Sequence, residues 1–369
     1  MSTHRLWAEI DHAALRHNAK AVRDAIGDKA GIIAVVKADG YGHGGPEVAA
    51  TLAPFVEQFG VATLEEARAV RAAVPERDIL ILSPCIPTER AAVVAEGFIP
   101  VVSGADEASE YAKAAGEKHA RVHLSVDTGM GRIGVWQDDA PAVARDIAGM
   151  RNILVESVST HLPVADSDAA FTADELRSWA GLAERLREIL PGAKFHALNS
   201  AASFKWPGFA ADRVRPGLAL YGISPLPEFQ GRLRPAMALK TRVTLVREIG
   251  AGRSVSYGRD FVALGPMRVA TLAAGYADGY PRQASGRGAQ VLVRGRRCPV
   301  LGRITMDQLV ADVSPLPADV ASGEEVVLFG AQDGSAISAN EVAGWAGTIS
   351  WDILTRLGRR VRKAHLDRR

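Results

Sequence analysis

The sequence predicts an α/β chain: an N-terminal (β/α)8 TIM-type barrel followed by a C-terminal mostly-β domain. Three observations carry this expectation. From residue 31 to about 222, short apolar runs alternate with amphipathic stretches, about eight strand–helix units in all, which suits a parallel barrel better than an open sheet. After Pro225-Leu-Pro227 the pattern changes to Val-rich alternating runs separated by Gly and Pro turns, the mark of an all-β domain. At 369 residues, 47% of them hydrophobic, the chain is long enough to bury two cores. The boundaries read this way are 11–230 for the barrel and 231–369 for the β domain. The sequence leaves open which of the two residues 1–10 join.

Residues 6–10 alternate like a short strand, and 15–26 have the apolar spacing of an additional helix ahead of the barrel. The barrel strands expected in order are 32–36, 59–62, 79–82, 99–102, 122–126, 154–159, 194–198 and a short one ending near Val214. The runs 32–36, 79–82 and 99–102 are continuous and apolar, as a strand buried on both faces requires. Between them, stretches such as 64–74 and 172–190 carry apolar residues at helical spacing. Beyond residue 230 the expected strands are 237–249, 268–274, 289–293, 310–313 and 325–329. One helix, 338–346, interrupts them, opened by Ser338 and Glu341 as a capping box. There is no internal repeat and no low-complexity segment.

Charge narrows the function. The net charge of +2 comes from interspersed acids and bases, which argues against a nucleic-acid partner or a membrane surface. The one basic run, 356–369, reads as a solvated tail. No apolar stretch approaches the roughly 20 residues of a membrane span, and the N-terminus lacks the pattern of a secretion signal. Cys85 and Cys298 are too few for a disulfide framework or a zinc site. The expectation is a soluble cytoplasmic protein acting on a small molecule, without a metal.

The most informative segment is Ala34-Val-Val-Lys-Ala-Asp-Gly-Tyr-Gly-His-Gly44. A buried strand ends on one lysine, and a glycine-rich turn with one tyrosine follows. Val35 and Val36 would strip water from the ammonium of Lys37, disfavour its charged form and lower its pKa. A neutral lysine is a nucleophile able to form a Schiff base with an aldehyde cofactor. A strand-end lysine reaching solvent past a flexible loop fits the same segment. Reading the other strand ends, where a barrel enzyme builds its site, gives Ser83, Asp127, His161, Asn199-Ser200 and Arg215. Any one of them is compatible with a strand that stops at the surface; their succession is harder to dismiss. The last two lie where barrels hold a phosphate, and Gly217 in Arg215-Pro-Gly-Leu218 lets the chain approach an anion closely.

With these residues in view, the chain resembles the alanine racemases, fold type III pyridoxal 5′-phosphate (PLP) enzymes, from end to end. The matching motifs are Ala8-Glu-Ile-Asp11 with Asn18, Val36-Lys-Ala-Asp-Gly-Tyr-Gly-His-Gly44, Asp127-Thr-Gly-Met-Gly-Arg-Ile-Gly134, Asn199-Ser-Ala-Ala202, Arg215-Pro-Gly-Leu-Ala-Leu-Tyr-Gly222, Val255-Ser-Tyr-Gly258, Gly275-Tyr-Ala-Asp-Gly-Tyr-Pro-Arg282 and Met306-Asp-Gln308. The resemblance implies that Lys37 holds PLP covalently and carries a proton on one face of the substrate. It implies that Tyr257, reaching the site from the partner subunit of a homodimer, is the acid/base on the other face. A free phenol titrates near 10, too high for an efficient base at neutral pH. The family sets a His–Arg pair beside it, matched here by His161 and Arg215. The arginine also faces the pyridine nitrogen and keeps it unprotonated, which weakens the electron sink and favours reprotonation over side reactions.

The same matching gives Tyr41, Ser200 and the backbone N–H groups of Gly217 and Leu218 to the phosphate, and Asn199 and His161 to the cofactor's surroundings. Arg132 would contact the cofactor phenol oxygen and the substrate carboxylate, joined by the backbone N–H of Met306 from the other chain. Tyr276 and Arg282 match residues lining the family's access path. Two positions depart from the pattern. Ser125 stands where many relatives have a carbamylated lysine that positions the arginine, so a bound anion such as chloride, or water anchored on Ser125 and Asp127, is expected instead. Trp351 stands where tyrosine is usual; it keeps an N–H donor but no hydroxyl, and as a large aromatic it also suits a β-domain core.

The leading expectation is racemisation of alanine by two opposed proton carriers, Lys37 and Tyr257, supplying D-alanine for peptidoglycan. A serine or broad-specificity racemase is the alternative that Trp351 raises. A non-catalytic PLP-homeostasis barrel protein is disfavoured by the β domain bearing Tyr257, Tyr276 and Met306-Asp307.

Overall fold

The computed structural model describes residues 4–367, which divide into two compact units: residues 14–234, and residues 4–13 with 235–367. In the first unit, among the described residues, eight parallel strands follow one another in the order Arg213–Val214, Gly31–Val35, Gln58–Val61, Asp78–Ile81, Ile99–Val102, Ala120–Asp127, Ile153–Ser159 and Lys194–His196. The first and last of these are joined by Asp212 N donating to Phe195 O at 3.0 Å and Arg215 N donating to Leu198 O at 2.8 Å, which nearly closes the barrel. Gly31–Val35, Gln58–Val61 and Ile99–Val102 are buried at every residue, as strands packed on both faces must be. Ile33, Leu80 and Ile99 form part of the core, with Leu82 packed on them.

The N-terminal ends of the strands are sealed by ion pairs. Arg213 reaches Glu57 at 3.1 Å and Glu156 at 2.6 Å, and Arg121 reaches Asp78 at 2.6 Å. That leaves the C-terminal ends open for chemistry. Helices return between the strands with side-chain caps: Thr63 accepts from Glu66 N at 3.2 Å, and Asp168 from Phe171 N at 3.0 Å.

The second unit is a β structure whose sheet order places Leu6–Asp11 between Met237–Ile249, antiparallel, and Arg362–Leu366, parallel. Met237–Ile249 also pairs with Glu325–Gln332, closing six strands into a ring. The expected capping box is present, with Ser338 Oγ accepting from Glu341 N at 3.1 Å and Glu341 Oε2 accepting from Ser338 N at 2.9 Å.

Several details differ from expectation, among them the basic run read as a solvated tail, which supplies the strand Arg362–Leu366. The additional helix begins at His12, the strand expected at 194–198 stops at His196 because Asn199 already caps the next helix, and Trp351 lies half-buried on a second short helix, Ser350–Thr355. Residues 368–369 of the basic tail lie outside the described residues. No helix among the described residues is long and apolar enough to cross a membrane.

Candidate active site

Lys37 opens a turn of unusual handedness. Ala38, Asp39, Gly40 and Tyr41 follow it with φ of +51°, +54°, +61° and +52°. Left-handed backbone costs roughly 1–2 kcal/mol per non-glycine residue, so the turn persists because its surroundings hold it. Glu66 accepts from Ala38 N at 2.7 Å with one carboxylate oxygen and from Ala62 N at 2.8 Å with the other. Asp39 accepts from Gly45 N at 2.8 Å. Lys37 itself is half-buried, and its ammonium forms no ion pair among the described residues. Desolvation first, and the charge of Arg132 second, lower its pKa, against a smaller opposing pull from Glu66. The lysine is therefore poised toward its neutral form.

The same turn carries Tyr41 inward. Its ring stacks on Tyr221 at 4.8 Å, and Tyr221 donates its hydroxyl to Val35 O at 3.0 Å. Burial pushes the Tyr41 phenol up to about 12, so it is an O–H donor at neutral pH. Facing it, Ser200 Oγ accepts from Gly217 N at 3.0 Å and Ala219 N at 3.2 Å. A Cβ on Gly217 would overlap the Tyr41 hydroxyl. Two hydroxyls and backbone laid open by the missing side chain of Gly217 thus converge in a cradle suited to a phosphate. Asn199 serves it indirectly: its side chain caps the helix Ser200–Lys205, accepting from Ala202 N at 3.1 Å. Replacing Gly217 with alanine should displace a tyrosine that its stacked partner pins. The expected cost is about 1–3 kcal/mol, measured as a lower melting temperature together with weaker PLP binding by absorbance titration.

Arg215 is buried, only 6% exposed, and has no carboxylate within ion-pair distance among the described residues. Its guanidinium donates to Thr160 O at 2.5 Å, His196 O at 3.1 Å and Ala197 O at 3.3 Å, and also meets His196 Nδ1. Burial brings it down to about 10, which leaves it charged at neutral pH. Because the guanidinium can only donate, the His196 nitrogen facing it must accept, which assigns His196 as neutral. That agrees with the burial and the Arg215 charge that hold His196 well below its ordinary value. His196 stacks on His123 at 5.0 Å, and His123 is fixed by Ser157 and Ser159 hydroxyls, each at 2.8 Å.

The anticipated pairing of His161 with Arg215 is a linkage of charge rather than a hydrogen bond among the described residues. His161 is exposed at its strand end, yet desolvation by the surrounding protein, then Arg215, Arg132 and Lys37, all act to keep it neutral. His161, Arg132 and Lys37 are thus brought within electrostatic reach of one another.

Arg132 rides on the loop after Ala120–Asp127. The Asp127 carboxylate accepts from Gly129 N at 2.9 Å and Arg132 N at 3.1 Å. Its burial works to raise its pKa, but the amides of Gly131, Gly129, Arg132 and Met130 outweigh that and hold it below the ordinary carboxylate value. Ser125 is buried on the same strand, and a Cβ on Gly134 would come within 3.0 Å of its carbonyl oxygen.

In the β unit, Tyr257 is 72% exposed on a hairpin between Ser254–Val255 and Phe261–Val262. Ser256 at φ +66° and Arg259 at φ +54° flank it, and Ser256 Oγ donates to Arg303 O at 2.5 Å. Val255 anchors the hairpin in a core with Val269 and Leu301. A large aromatic held toward solvent by strained backbone is a functional pointer. Tyr276 and Met306, both exposed, sit on interlaced loops, with Tyr276 N donating to Thr305 O and Ala277 N to Met306 O, each at 3.0 Å. Arg360 ties these loops together through Asp278 at 2.9 Å and Asp307 at 2.7 Å. Arg282 begins a short turn, Arg282–Ala284, in the same unit.

Sequence reasoning missed Glu66, His196 and Tyr221. The Thr63–Glu66 spacing was a legible signal for the first; the others sit inside apolar runs and give none.

Comparison with known proteins places the chain among relatives. The profile of the alanine racemase N-terminal domain matches residues 10–225, and that of the C-terminal domain matches residues 236–365. An alanine racemase of Symbiobacterium thermophilum is 42% identical over 364 residues, covering 96% of this chain and 95% of the relative. A crystal structure of alanine racemase from Streptomyces lavendulae superposes with a TM-score of 0.91 at 33% identity, covering 100% of this chain and 99% of that one. One from Bartonella henselae, described with covalently bound pyridoxal phosphate, has a TM-score of 0.89 at 28% identity, covering 98% and 99%.

Proposed function

The chain belongs to the alanine racemase family, and on that footing we propose that it interconverts L- and D-alanine with PLP, using Lys37 and Tyr257 as opposed proton carriers. The observation that carries this reading is the arrangement of Lys37: a lysine with lowered pKa, fixed by a left-handed turn whose other end supplies Tyr41 to an anion cradle. The residues present fit PLP. The cradle of Tyr41, Ser200 and the 217–219 backbone suits its phosphate, and Arg215, a donor with no carboxylate partner, suits a ring nitrogen that must accept. The Bartonella relative's covalently bound cofactor supports the same assignment.

When bound, PLP acidifies the α-hydrogen of an amino acid joined to it. The protein's own groups then decide where the proton goes. Lys37 Nζ, held toward its neutral form by desolvation, takes or returns the proton on one face. Tyr257 Oη does so on the other, contributed by the second subunit of a homodimer. Its exposure within its own unit supports that placement, because a fixed aromatic facing solvent is available to a neighbour. Arg132 holds the substrate carboxylate, and the charge of Arg215 disfavours protonation of the cofactor nitrogen. The product D-alanine would serve peptidoglycan assembly in the cytoplasm.

Incubation of the PLP-loaded protein with L-alanine in D2O tests this. Loss of optical rotation and deuteration at Cα should proceed together. L-alanine that keeps both its rotation and its α-hydrogen would overturn the reading. L-serine run in parallel reads the consequence of Trp351, whose indole has no hydroxyl to offer a substrate.

A further inference from the structure

The helix Ala169–Ile189 buries Thr172, Leu176, Trp179, Leu182, Ala183 and Leu186 along one face, and Glu175 stands in that apolar register. It is only 6% exposed. No cation lies within ion-pair distance of it among the described residues. A leucine would pack there without the cost of burying a carboxyl group. One oxygen, Oε1, is 2.5 Å from Thr128 Oγ1; the other, Oε2, is buried with no hydrogen-bond partner. Thr128 Oγ1 is in turn 2.6 Å from Thr160 Oγ1, and the Thr160 carbonyl is where Arg215 donates at 2.5 Å. Each threonine has one proton to give. With the carboxyl accepting, Thr160 donates to Thr128 and Thr128 to Glu175, so the three groups form an ordered chain.

That chain ties the helix to the ends of two paired strands, Ala120–Asp127 and Ile153–Ser159, just beyond their last paired residues Ser125 and Ser159. Thr128 is the first residue after Asp127, in a loop whose Gly129, Gly131 and Gly134 have φ of +154°, +67° and +107°. Such a loop loses much conformational freedom when it is fixed. Asp127 gathers its amides and gives it shape, and Ser103 Oγ accepts from Gly134 N at its far end. Neither ties the loop's start to the neighbouring strand end. We propose that Glu175 is a positioning residue: through the Thr128 and Thr160 hydroxyls it fixes the 128–134 loop, and so Arg132, against the strand end that carries His161. Burial raises the pKa of Glu175, with Asp127 adding and Thr128 opposing, in keeping with a carboxyl held for its hydrogen bond rather than for a charge partner. The effect on substrate rests on the reading of Arg132 given above; the tether itself does not.

Amide hydrogen exchange of residues 128–134, followed by mass spectrometry, reads the tether without any turnover. Steady-state kinetics with L-alanine read its consequence. In Glu175→Ala, and in the near-isosteric Thr128→Val should the first fold poorly, exchange across the loop should rise about tenfold, the equivalent of one lost hydrogen bond. KM should rise by a similar factor while kcat changes far less. Glu175→Gln keeps an acceptor and should restore both. Folded variants whose loop exchange and KM match the wild type, or a Gln variant as impaired as the Ala one, overturn the proposal. Faster exchange in variants of a chain that does not racemise alanine would support the tether and overturn the activity reading instead.

Discussion

Lys37→Arg should abolish racemisation in both directions, lowering kcat by about four orders of magnitude, the upper range for loss of a positioned proton carrier. Arginine keeps the charge and much of the length, so a role in charge or packing would survive the change. Arginine does not release its proton in a protein, and it cannot take the place of a nucleophilic amine. The fold should tolerate it. Lys37 is half-buried, its ammonium has no ion pair among the described residues, and the left-handed turn beside it is held through Glu66 and Asp39 rather than through the lysine. Circular dichroism and melting temperature should stay near wild type while the absorbance of covalently held cofactor is lost.

A second readout separates desolvation from mere proximity. In the protein freed of cofactor, the folded-state pKa of Lys37 lies below its ordinary value, so the unfolded chain binds more protons between the two. Stability should therefore rise with pH through that window, ending at about 10.5. Lys37→Ala should remove this component of the rise. A denaturant titration at several pH values between 7 and 10 checks the sign, and an unchanged slope would mean that the lysine is not held toward neutrality.

Much of this architecture was legible because a parallel barrel imposes one rule on all its strands. Strands buried on both faces, such as 32–36, 79–82 and 99–102, read as unbroken apolar runs, and the residue at which each run stops marks the rim. Lys37, Asp127 and Arg215 could be found by that means alone. What lay hidden was whatever depends on side chains inside the run or on backbone against its propensity. His196 and Tyr221 interrupt no pattern, yet one meets Arg215 and the other pins Tyr41. Gly40 hinted at positive φ, but Ala38, Asp39 and Tyr41 adopt it too, which no local preference would foretell and which the hydrogen bonds of Glu66 and Asp39 explain. Trp351 was hard for the opposite reason: a six-residue helix is shorter than the periodicity needed to recognise it.

Tyr257→Phe should cut racemisation by about 10²- to 10⁴-fold in both directions, because each direction uses the phenol once, as base or as acid. The ring remains, the strained hairpin is set by Ser256, Gly258 and Arg259, and Val255 keeps its core contacts, so the fold should be unchanged. The loss has a one-sided signature. With Lys37 intact, solvent deuterium should still enter Cα of the enantiomer whose α-hydrogen faces the amine, while the other keeps its hydrogen. Exchange of both at equal rates would mean that a single group serves both faces.

Mixing this variant with Lys37→Ala then asks which chain supplies the phenol. If each site takes its lysine from one subunit and its tyrosine from the other, a hybrid dimer has one site with both groups and one with neither. Random reassortment makes half the dimers hybrids, each with one working site of two, so activity should return to about a quarter of wild type. If both groups come from the same chain, every site in the mixture lacks one of them and nothing returns. Refolding or co-expression of the two inactive chains distinguishes these outcomes, because neither parent can account for the recovery.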